Sequence, residues 1–221
     1  QVFAHGKHLF IGVADGRQLR SHLGMYGSWH RYDRGAPWRK PAAQASLVLD
    51  VGAEHYVCFN AKEVELLAAP GIRERVLASR LGPDLIASGA ALDLDQVLAR
   101  VEAFAGPDDL LADVLLDQRI ATGIGNVYKS EVLFIEGHLP QHRASDLPAD
   151  ALARCFATAA ALLRRNLGGG RRVTRFAGDR RGTLWVYRRH RLPCLNCATP
   201  VHYARLGRDH RSCYWCPRCQ G

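Results

Sequence analysis

Long apolar runs are missing from this chain of 221 residues. The longest, residues 155–163, is interrupted by Thr158 and is far shorter than the roughly 20 residues needed to cross a bilayer. We expect no membrane partner, and no signal-peptide pattern opens the sequence. The composition, 48% apolar and 23% charged, excludes a disordered, collagenous or low-complexity protein. This length suits one large domain or two to three small ones.

Acidic residues are scarce in the last quarter of the chain. Residues 171–221 carry 12 arginines, no lysine, and only Asp179 and Asp209, a balance of +10. Residues 1–170 balance to −1, so the whole net charge of +9 comes from the C-terminal segment. Such a concentration is typical of a surface that binds a polyanion. A solubilising tail would not also carry five cysteines, two tryptophans and three histidines, so nucleic acid is favoured as the partner.

Cysteines are few outside one cluster. Of the seven, five lie within residues 194–219, whereas Cys58 and Cys155 stand in apolar contexts typical of buried thiols. An odd number in a cluster favours metal binding in a reducing compartment over a disulfide scaffold. We therefore expect a cytoplasmic protein.

The cluster contains two Cys-x2-Cys knuckles separated by 18 residues. The four candidate ligands are Cys194, Cys197, Cys216 and Cys219. Two such knuckles place four thiolates around one tetrahedral Zn²⁺, which supplies folding energy that so small a core lacks. The protein fills all four positions, so we expect one structural zinc ion and no catalytic one. The segment between the knuckles has room for a β-hairpin.

Cys213 offers a rival knuckle. Pairing it with Cys216 would leave Cys219 spare. Pro217 suits a knuckle turn, whereas the two aromatic residues that follow Cys213 suit a strand. The pairing of Cys216 with Cys219 is therefore favoured.

Hydrophobic periodicity divides the chain into three predicted segments. Residues 1–88 alternate as short strands, residues 89–170 have a helical period, and residues 171–221 are basic and cysteine-rich. The clearest strands cover residues 8–13, 18–25, 46–51 and 55–60, and residues 31–41 are predicted as a long loop. The fold class is α+β.

Four helices are predicted in the middle segment. They cover residues 94–104, 110–116, 126–136 and 149–167. Asp93 is a candidate N-cap for the first helix, and Asp108 and Asp109 are candidate caps for the second. The glycine run at residues 168–170 ends the helical block.

Gly123 and Gly125 stand just before the third predicted helix, which starts near Asn126. The free N–H groups of that helix start, together with the Asn126 amide, are able to hold a phosphate. A tight helix–helix turn needs the same glycines, and both interpretations stay open on this motif alone. The neighbouring basic segment favours the phosphate.

Taken in chain order, these motifs resemble the Fpg/Nei family of DNA glycosylases, and more closely its endonuclease VIII branch. Residues 117–134 resemble the family's helix–two-turn–helix motif, and residues 214–220 resemble its zinc finger. Residues 5–9 and 22–27 resemble two strands of its N-terminal sandwich. The resemblance spans essentially the whole chain. It implies a partial β-sandwich, a helical helix–two-turn–helix domain and a zinc-finger β-hairpin over the three predicted segments.

The resemblance implies DNA-binding roles for five side chains. They are Lys7, Met25, Arg80, Asn126 and Arg211. Lys7 matches a strand lysine that binds phosphate and assists the lyase step, and Met25 matches an apolar wedge that fills the gap left by an everted nucleotide. Asn126 matches a phosphate ligand, and Arg80 a DNA-contacting arginine of the endonuclease VIII branch. Arg211 matches the finger arginine that clamps phosphates and helps δ-elimination, so Lys7 and Arg211 have auxiliary catalytic roles.

The family's N-terminal Pro-Glu pair has no counterpart here. In that family the proline amine attacks the sugar C1′ and expels the damaged base, the glutamate moves protons, and the Schiff base drives elimination of the phosphates. The sequence begins Gln1-Val2, and on the resemblance we expect that a stretch on the order of fifty residues is absent. We expect the chain as given to bind zinc and DNA and to be largely inactive.

The function implied by the resemblance is that of a base-excision-repair DNA glycosylase with AP lyase activity. Its partner would be double-stranded DNA that contains oxidised bases, preferentially pyrimidines, or abasic sites. We expect the protein to bind this DNA as a monomer at the bacterial nucleoid. The alternative is a non-catalytic damaged-DNA-binding zinc-finger protein. Lys7, Met25 and Arg211 favour the enzyme, because a regulator does not need a lyase lysine.

Overall fold

The structure is a computed structural model that describes residues 1–24, 26–68, 80–86, 92–168, 170–176 and 178–221. The chain divides into an N-terminal unit, Gln1–Ser79, and a C-terminal unit, Arg80–Gly221. The three predicted segments, bounded at residues 88 and 170, stay a prediction. Met25, the predicted wedge, lies outside the described residues.

In its described residues, the N-terminal unit contains two antiparallel sheets and a short 3-10 helix, Ala42–Gln44. Its strands are β1 (Val2–His5), β2 (His8–Gly12), β3 (Gln18–His22), β4 (Ser28–Asp33), β5 (Ala45–Val51), β6 (Glu54–Phe59) and β7 (Glu63–Leu67). One sheet has the order β1-β2-β3-β7 and the other the order β4-β6-β5. All four predicted strands are present, with ends displaced by one to three residues.

Local chemistry explains where these strands turn and end. The β2–β3 hairpin turns at Gly16, whose φ of +87° lies in the region that favours glycine. The loop predicted over residues 31–41 is shorter than expected, because β4 continues to Asp33. Tyr32 keeps the chain extended there, since its ring is buried against Phe59 and Trp38.

A buried charge fixes the edge strand of the first sheet. Arg20 of β3 is only 2% exposed, and its guanidinium lies 2.7 Å from the Glu63 carboxylate and 3.1 Å from that of Glu65. Both glutamates belong to β7, which pairs with β3. Because a buried guanidinium is stable only when paired, these contacts hold β7 in register.

In the described part of the C-terminal unit, four α-helices and a short 3-10 helix, Ala144–Asp146, combine with a hairpin. The helices are α1 (Leu94–Phe104), α2 (Leu111–Leu116), α3 (Asn126–Ile135) and α4 (Ala149–Arg165), and the hairpin strands are β8 (His202–Leu206) and β9 (Arg211–Trp215). All four predicted helices form, and Asp93 caps α1, since its Oδ1 accepts a hydrogen bond from the Gln96 N–H at 2.9 Å. Within the described residues, no helix is long and apolar enough to span a bilayer.

The predicted caps of α2 were wrong. The N-cap of α2 is Leu110, which offers no side-chain hydrogen bond, and the Asp109 carboxylate accepts instead from the Gly106 N–H at 2.9 Å. Leu110 is extended because it forms an antiparallel bridge with Arg143. This tertiary pairing decides how the chain enters the helix and turns the aspartates away from its first N–H groups.

The helices and the hairpin share one hydrophobic core. Leu111 of α2, Leu133 of α3 and Phe156 of α4 are fully buried in it, and Cys213 of β9 belongs to the same cluster. The hairpin therefore packs directly on the helices.

A second, smaller cluster lies beside the cysteine knuckles. It joins Phe134 of α3 to Val186, Val201, Cys194 and Cys216. Since Leu133 belongs to the first cluster and Phe134 to the second, α3 is the element on which both the hairpin and the knuckles are built.

Glu131 of α3 is completely buried and binds a main-chain segment. Its carboxylate accepts hydrogen bonds from the N–H groups of Trp185 (2.7 Å), Val186 (3.0 Å) and Tyr187 (2.9 Å), and from the Thr174 hydroxyl. The charge is dispersed over these donors, which attach the chain before the first knuckle to the helix.

Replacement of Glu131 by alanine is expected to lower the free energy of unfolding of the C-terminal unit by about 3–5 kcal/mol. The reason is that buried N–H donors lose their acceptor where water does not replace it. Denaturant titration followed by circular dichroism measures the change. Glu102→Ala, at an exposed position of α1, is the matched control and should shift stability by less than about 0.5 kcal/mol. Equal stabilities of the two variants would contradict the assigned role.

Candidate metal centre and nucleic-acid interface

Four thiols converge between the two knuckles. The ligand atoms of Cys194, Cys197, Cys216 and Cys219 all lie within 4.8 Å of one another. The Sγ atoms of Cys197 and Cys216 are 3.4 Å apart, and those of Cys194 and Cys219 are 3.9 Å apart. Two tight turns distant in sequence thus form one four-sulfur site, as the spacing predicts.

The donor set fits a tetrahedral metal ion. Burial raises the pKa of Cys216, whereas hydrogen bonds with Thr199 lower the pKa of Cys197; a cation among the four sulfurs would stabilise the thiolate form of both. Asn196 supplies two N–H···S contacts at 3.4 Å, from its main chain to Cys194 Sγ and from its amide to Cys219 Sγ. Such donors stabilise thiolate charge and orient the ligands. On such an ion, four protein ligands would leave no position for a substrate water.

Cys213 is outside this site. It is 1% exposed in the helical core, and its Sγ lies 3.1 Å from the Nζ of Lys129. The alternation of β9 explains the difference, because Cys213 faces α3 while the chain turns into the knuckle only after Trp215. The structure therefore places Cys219, and not Cys213, opposite Cys194.

The turn between α2 and α3 is organised by one side chain. The Gln118 amide donates to the carbonyl oxygens of Leu116 (2.8 Å) and Ile124 (3.2 Å), and its Oε1 accepts from the Gly123 N–H (3.3 Å). Gly123 has φ of +111°, so a glycine is required at this position for the turn itself.

Gly125 serves a different purpose from Gly123. It is the N-cap of α3, it is extended, and it offers no side-chain cap. The N–H groups that begin α3 are therefore not covered by a capping side chain, and Asn126 is the first residue of the helix. This is the geometry in which a helix start binds an anion. The sequence left open whether these glycines serve a tight turn or a phosphate site. The turn requires Gly123, whereas the phosphate site, which stays a prediction, concerns the helix start at Gly125.

Arg80 lies beside the same turn. Two residues further on, the Gly82 N–H donates to the Gln118 carbonyl at 2.8 Å. A Cβ on Gly82 would stand 2.2 Å from the Ile120 carbonyl oxygen, so the two backbones touch. Arg80 is exposed, and this close approach places it next to the segment that leads into α3.

Arg208 and Arg211, near the hairpin tip, have different environments. The Arg208 N–H donates to Asp113 at 3.2 Å, and its guanidinium lies 3.6 Å from Asp109 and 3.7 Å from Asp117. Arg211 is half-exposed and lies 3.4 Å from Asp209, which is itself 69% exposed. A surface pair of that kind contributes little, so a phosphate competes for Arg211 easily. Arg208 is also exposed, but its carboxylate partners Asp109 and Asp117 are largely buried.

In the N-terminal unit, Lys7 occupies the exposed turn between β1 and β2. On the neighbouring strands the rings of His8 and His22 lie 4.7 Å apart. Burial lowers the pKa of His22, and the Lys7 charge lowers it further. Lys7 thus stands close to a histidine that stays neutral near pH 7, a feature that sequence reasoning missed.

Comparison with known proteins shows which proteins share these features. Residues 81–177 match the family described as the formamidopyrimidine-DNA glycosylase H2TH domain. The probable endonuclease 8 2 of Streptomyces coelicolor is 38% identical over 222 residues, 99% of this chain and 78% of that protein. The DNA-(apurinic or apyrimidinic site) lyase Nei2 of Mycolicibacterium smegmatis is 35% identical over 223 residues, 100% of this chain and 81% of that protein.

Solved structures show the same fold. The formamidopyrimidine-DNA glycosylase of Lactococcus lactis, bound to DNA with an AP site, superposes with a TM-score of 0.79 at 21% identity, over 99% of this chain and 80% of that one. The Thermus thermophilus protein gives 0.77 at 26% identity, over 100% of this chain and 82% of that one.

The sandwich, the helix–two-turn–helix domain and the cysteine cluster together define a DNA-repair enzyme of the glycosylase and AP lyase class. The chain belongs to the Fpg/Nei family of DNA glycosylases, and both relatives cited above are Nei-type proteins. The family resemblance, the α+β fold class and the enzyme class expected from the sequence are confirmed. The individual roles of Lys7, Met25, Arg80, Asn126 and Arg211 stay predictions.

Zinc content distinguishes the four-sulfur site from the rival knuckle. Cys216→Ser is expected to lose the metal ion and unfold the second cluster, because three thiolates do not hold zinc as tightly as four. Cys213→Ser is the matched control and should retain one zinc ion per chain by mass spectrometry of the native protein. Loss of zinc from Cys213→Ser with retention in Cys216→Ser would reverse the ligand assignment.

Proposed function

We propose that the chain functions in base-excision repair as a glycosylase with AP lyase activity, which removes oxidised bases, and preferentially oxidised pyrimidines, from double-stranded DNA. The residues described here would bind the DNA and assist the lyase step. AP lyase chemistry is supported by the relative named as an apurinic or apyrimidinic site lyase. The preference for pyrimidines rests on the resemblance to the endonuclease VIII branch. The four thiols would hold one structural Zn²⁺, and the protein would act as a monomer.

One observation carries the proposal. Within the C-terminal unit the uncapped start of α3 and the strand that begins with Arg211 are joined through a single buried side chain, Lys129. The arrangement presents an amide, main-chain N–H groups and a guanidinium from adjacent elements. Phosphate is the ligand common to all three donor types.

The proposed roles follow from the chemistry of each side chain. Asn126 and Arg211 would bind phosphates that flank the lesion, and Arg80 would contact the same strand or its neighbour. The cationic Arg211 would also stabilise the phosphate that leaves in δ-elimination. Lys7 would bind phosphate and assist the lyase step, and Met25 would fill the space of the everted nucleotide.

Binding to DNA should depend steeply on salt. Arg211→Ala is expected to weaken binding about equally on all duplex sequences and to reduce the slope of log Kd against log salt by about one, since it removes one phosphate contact. Fluorescence anisotropy with two unrelated duplexes measures both quantities. Arg154→Ala, which removes an exposed arginine of α4 paired with Asp150, is the control and should leave the slope unchanged. A wild-type slope near zero would rule out phosphate-driven binding.

Borohydride trapping tests the Schiff-base chemistry. The 221 residues contain no Pro-Glu dipeptide, the pair that acts as nucleophile and proton carrier in the resembled family. We therefore expect residues 1–221 alone to bind a duplex with one abasic site without giving a trapped covalent band. A band lost in Lys7→Ala would instead identify Lys7 as an imine-forming amine. Absence of a band even in a chain fused to the Pro-Glu segment of a family member would favour the non-catalytic DNA binder.

A further inference from the structure

Lys129 is fully buried, which is rare for a lysine. It lies on α3, one turn after Asn126, and burial lowers the pKa of its amine. Among the described residues it forms no ion pair with a carboxylate, although Asp113 acts on it electrostatically. Its hydrogen-bond donors are directed at three acceptors, and those acceptors show what the side chain does.

Two of the three acceptors belong to the proposed phosphate site or adjoin it. The Nζ of Lys129 lies 3.4 Å from the Asn126 Oδ1 and 2.9 Å from the carbonyl oxygen of Ser212, the residue after Arg211. The third acceptor is the Cys213 Sγ at 3.1 Å. The amine therefore joins the start of α3 to the start of β9 on their buried side.

The direction of these bonds determines how the Asn126 amide is oriented. An ammonium group donates hydrogen bonds and accepts none, so it faces the amide oxygen and not the NH₂ group. With Oδ1 held toward the interior, the Nδ2 donors point away from Lys129. That is the orientation an anion requires, because a phosphate oxygen only accepts.

We propose that Lys129 is a positioning residue for DNA binding: it holds the Asn126 amide with its donors outward and fixes the main chain beside Arg211. The inference rests on the proposed function, in which Asn126 and Arg211 bind phosphate. Lys129 itself touches no DNA.

Stability alone does not account for a lysine here. A buried charge with no carboxylate partner carries a desolvation cost, and replacing such a group by an apolar one of similar size is often neutral or stabilising. Lys129→Met keeps the chain length and fills the same space between α3 and Cys213. It removes the donors together with the charge but keeps the packing, and so separates orientation from packing.

The experiment is a double-mutant cycle on affinity for a duplex that carries a tetrahydrofuran abasic analogue. Lys129→Met is expected to weaken binding about tenfold in the wild-type background and less than about twofold in the Asn126→Ala background, because the oriented group is then already gone. Zinc content and melting temperature should stay at wild-type values. Cys213→Ala is the matched control, since it removes one acceptor but leaves the contacts to Asn126 and Ser212, and it should weaken binding less than about twofold.

Two results would overturn the inference: no loss of affinity in Lys129→Met, or the same fold-loss in both backgrounds. If Asn126→Ala and Arg211→Ala themselves leave affinity unchanged, the proposed phosphate site is wrong. That result differs from the two above, which contradict only the positioning role of Lys129.

Asn126→Asp tests the contact even where Lys129→Met does not fold. It should melt at or above the wild-type temperature, because the carboxylate pairs with Lys129, yet bind DNA no better than Asn126→Ala. Melting below Asn126→Ala would show that Lys129 does not hold position 126.

Discussion

Two buried charges on one helix control the arrangement of the C-terminal unit. Lys129 and Glu131 of α3 are both inaccessible to solvent, and each binds the main chain of the C-terminal segment, although Lys129 also contacts two side-chain acceptors. Glu131 collects N–H groups before the first knuckle, whereas Lys129 binds the carbonyl oxygen of Ser212 on β9. Because an unpaired buried charge is costly, α3 accepts only one position of this segment. The four-sulfur site and the hairpin tip follow from that position.

The arginines of the C-terminal segment are not a uniform cationic surface. Arg175 is 3% exposed, pairs with Asp179 at 3.0 Å and lies 4.4 Å from the ring centre of Trp185, so it is part of the interior. Arg208 is engaged by carboxylates of the helical region, while Arg211 has only an exposed partner. The charge of +10 therefore overstates the surface open to a polyanion, and the role proposed for Arg211 rests on its exposed partner and not on its position in a basic run.

Sequence patterns with a short-range physical cause were predicted well. The knuckle spacing indicated the four ligands, helical periodicity located α1 to α4, and Asp93 was identified as a cap from its position before an apolar period. The α2 cap failed because the bridge of Leu110 with Arg143 joins residues 33 positions apart, and local chemistry contains no signal for it. Lys129 was overlooked for a similar reason, since a lysine in an amphipathic helix ordinarily faces water.

The sequence by itself determined the family, the α+β class, the order of the segments and the residue types available for metal and phosphate binding, because these depend on composition, period and spacing. Tertiary structure decided that Cys219 and not Cys213 joins the four-sulfur site, and that Gly125 is the N-cap of α3. It also decided how the arginines are paired and that the buried Lys129 contacts Asn126 and the main chain after Arg211, the two residues proposed to bind phosphate. Those outcomes depend on burial and on contacts between distant segments, where the cost of an unsatisfied charge or donor selects one arrangement.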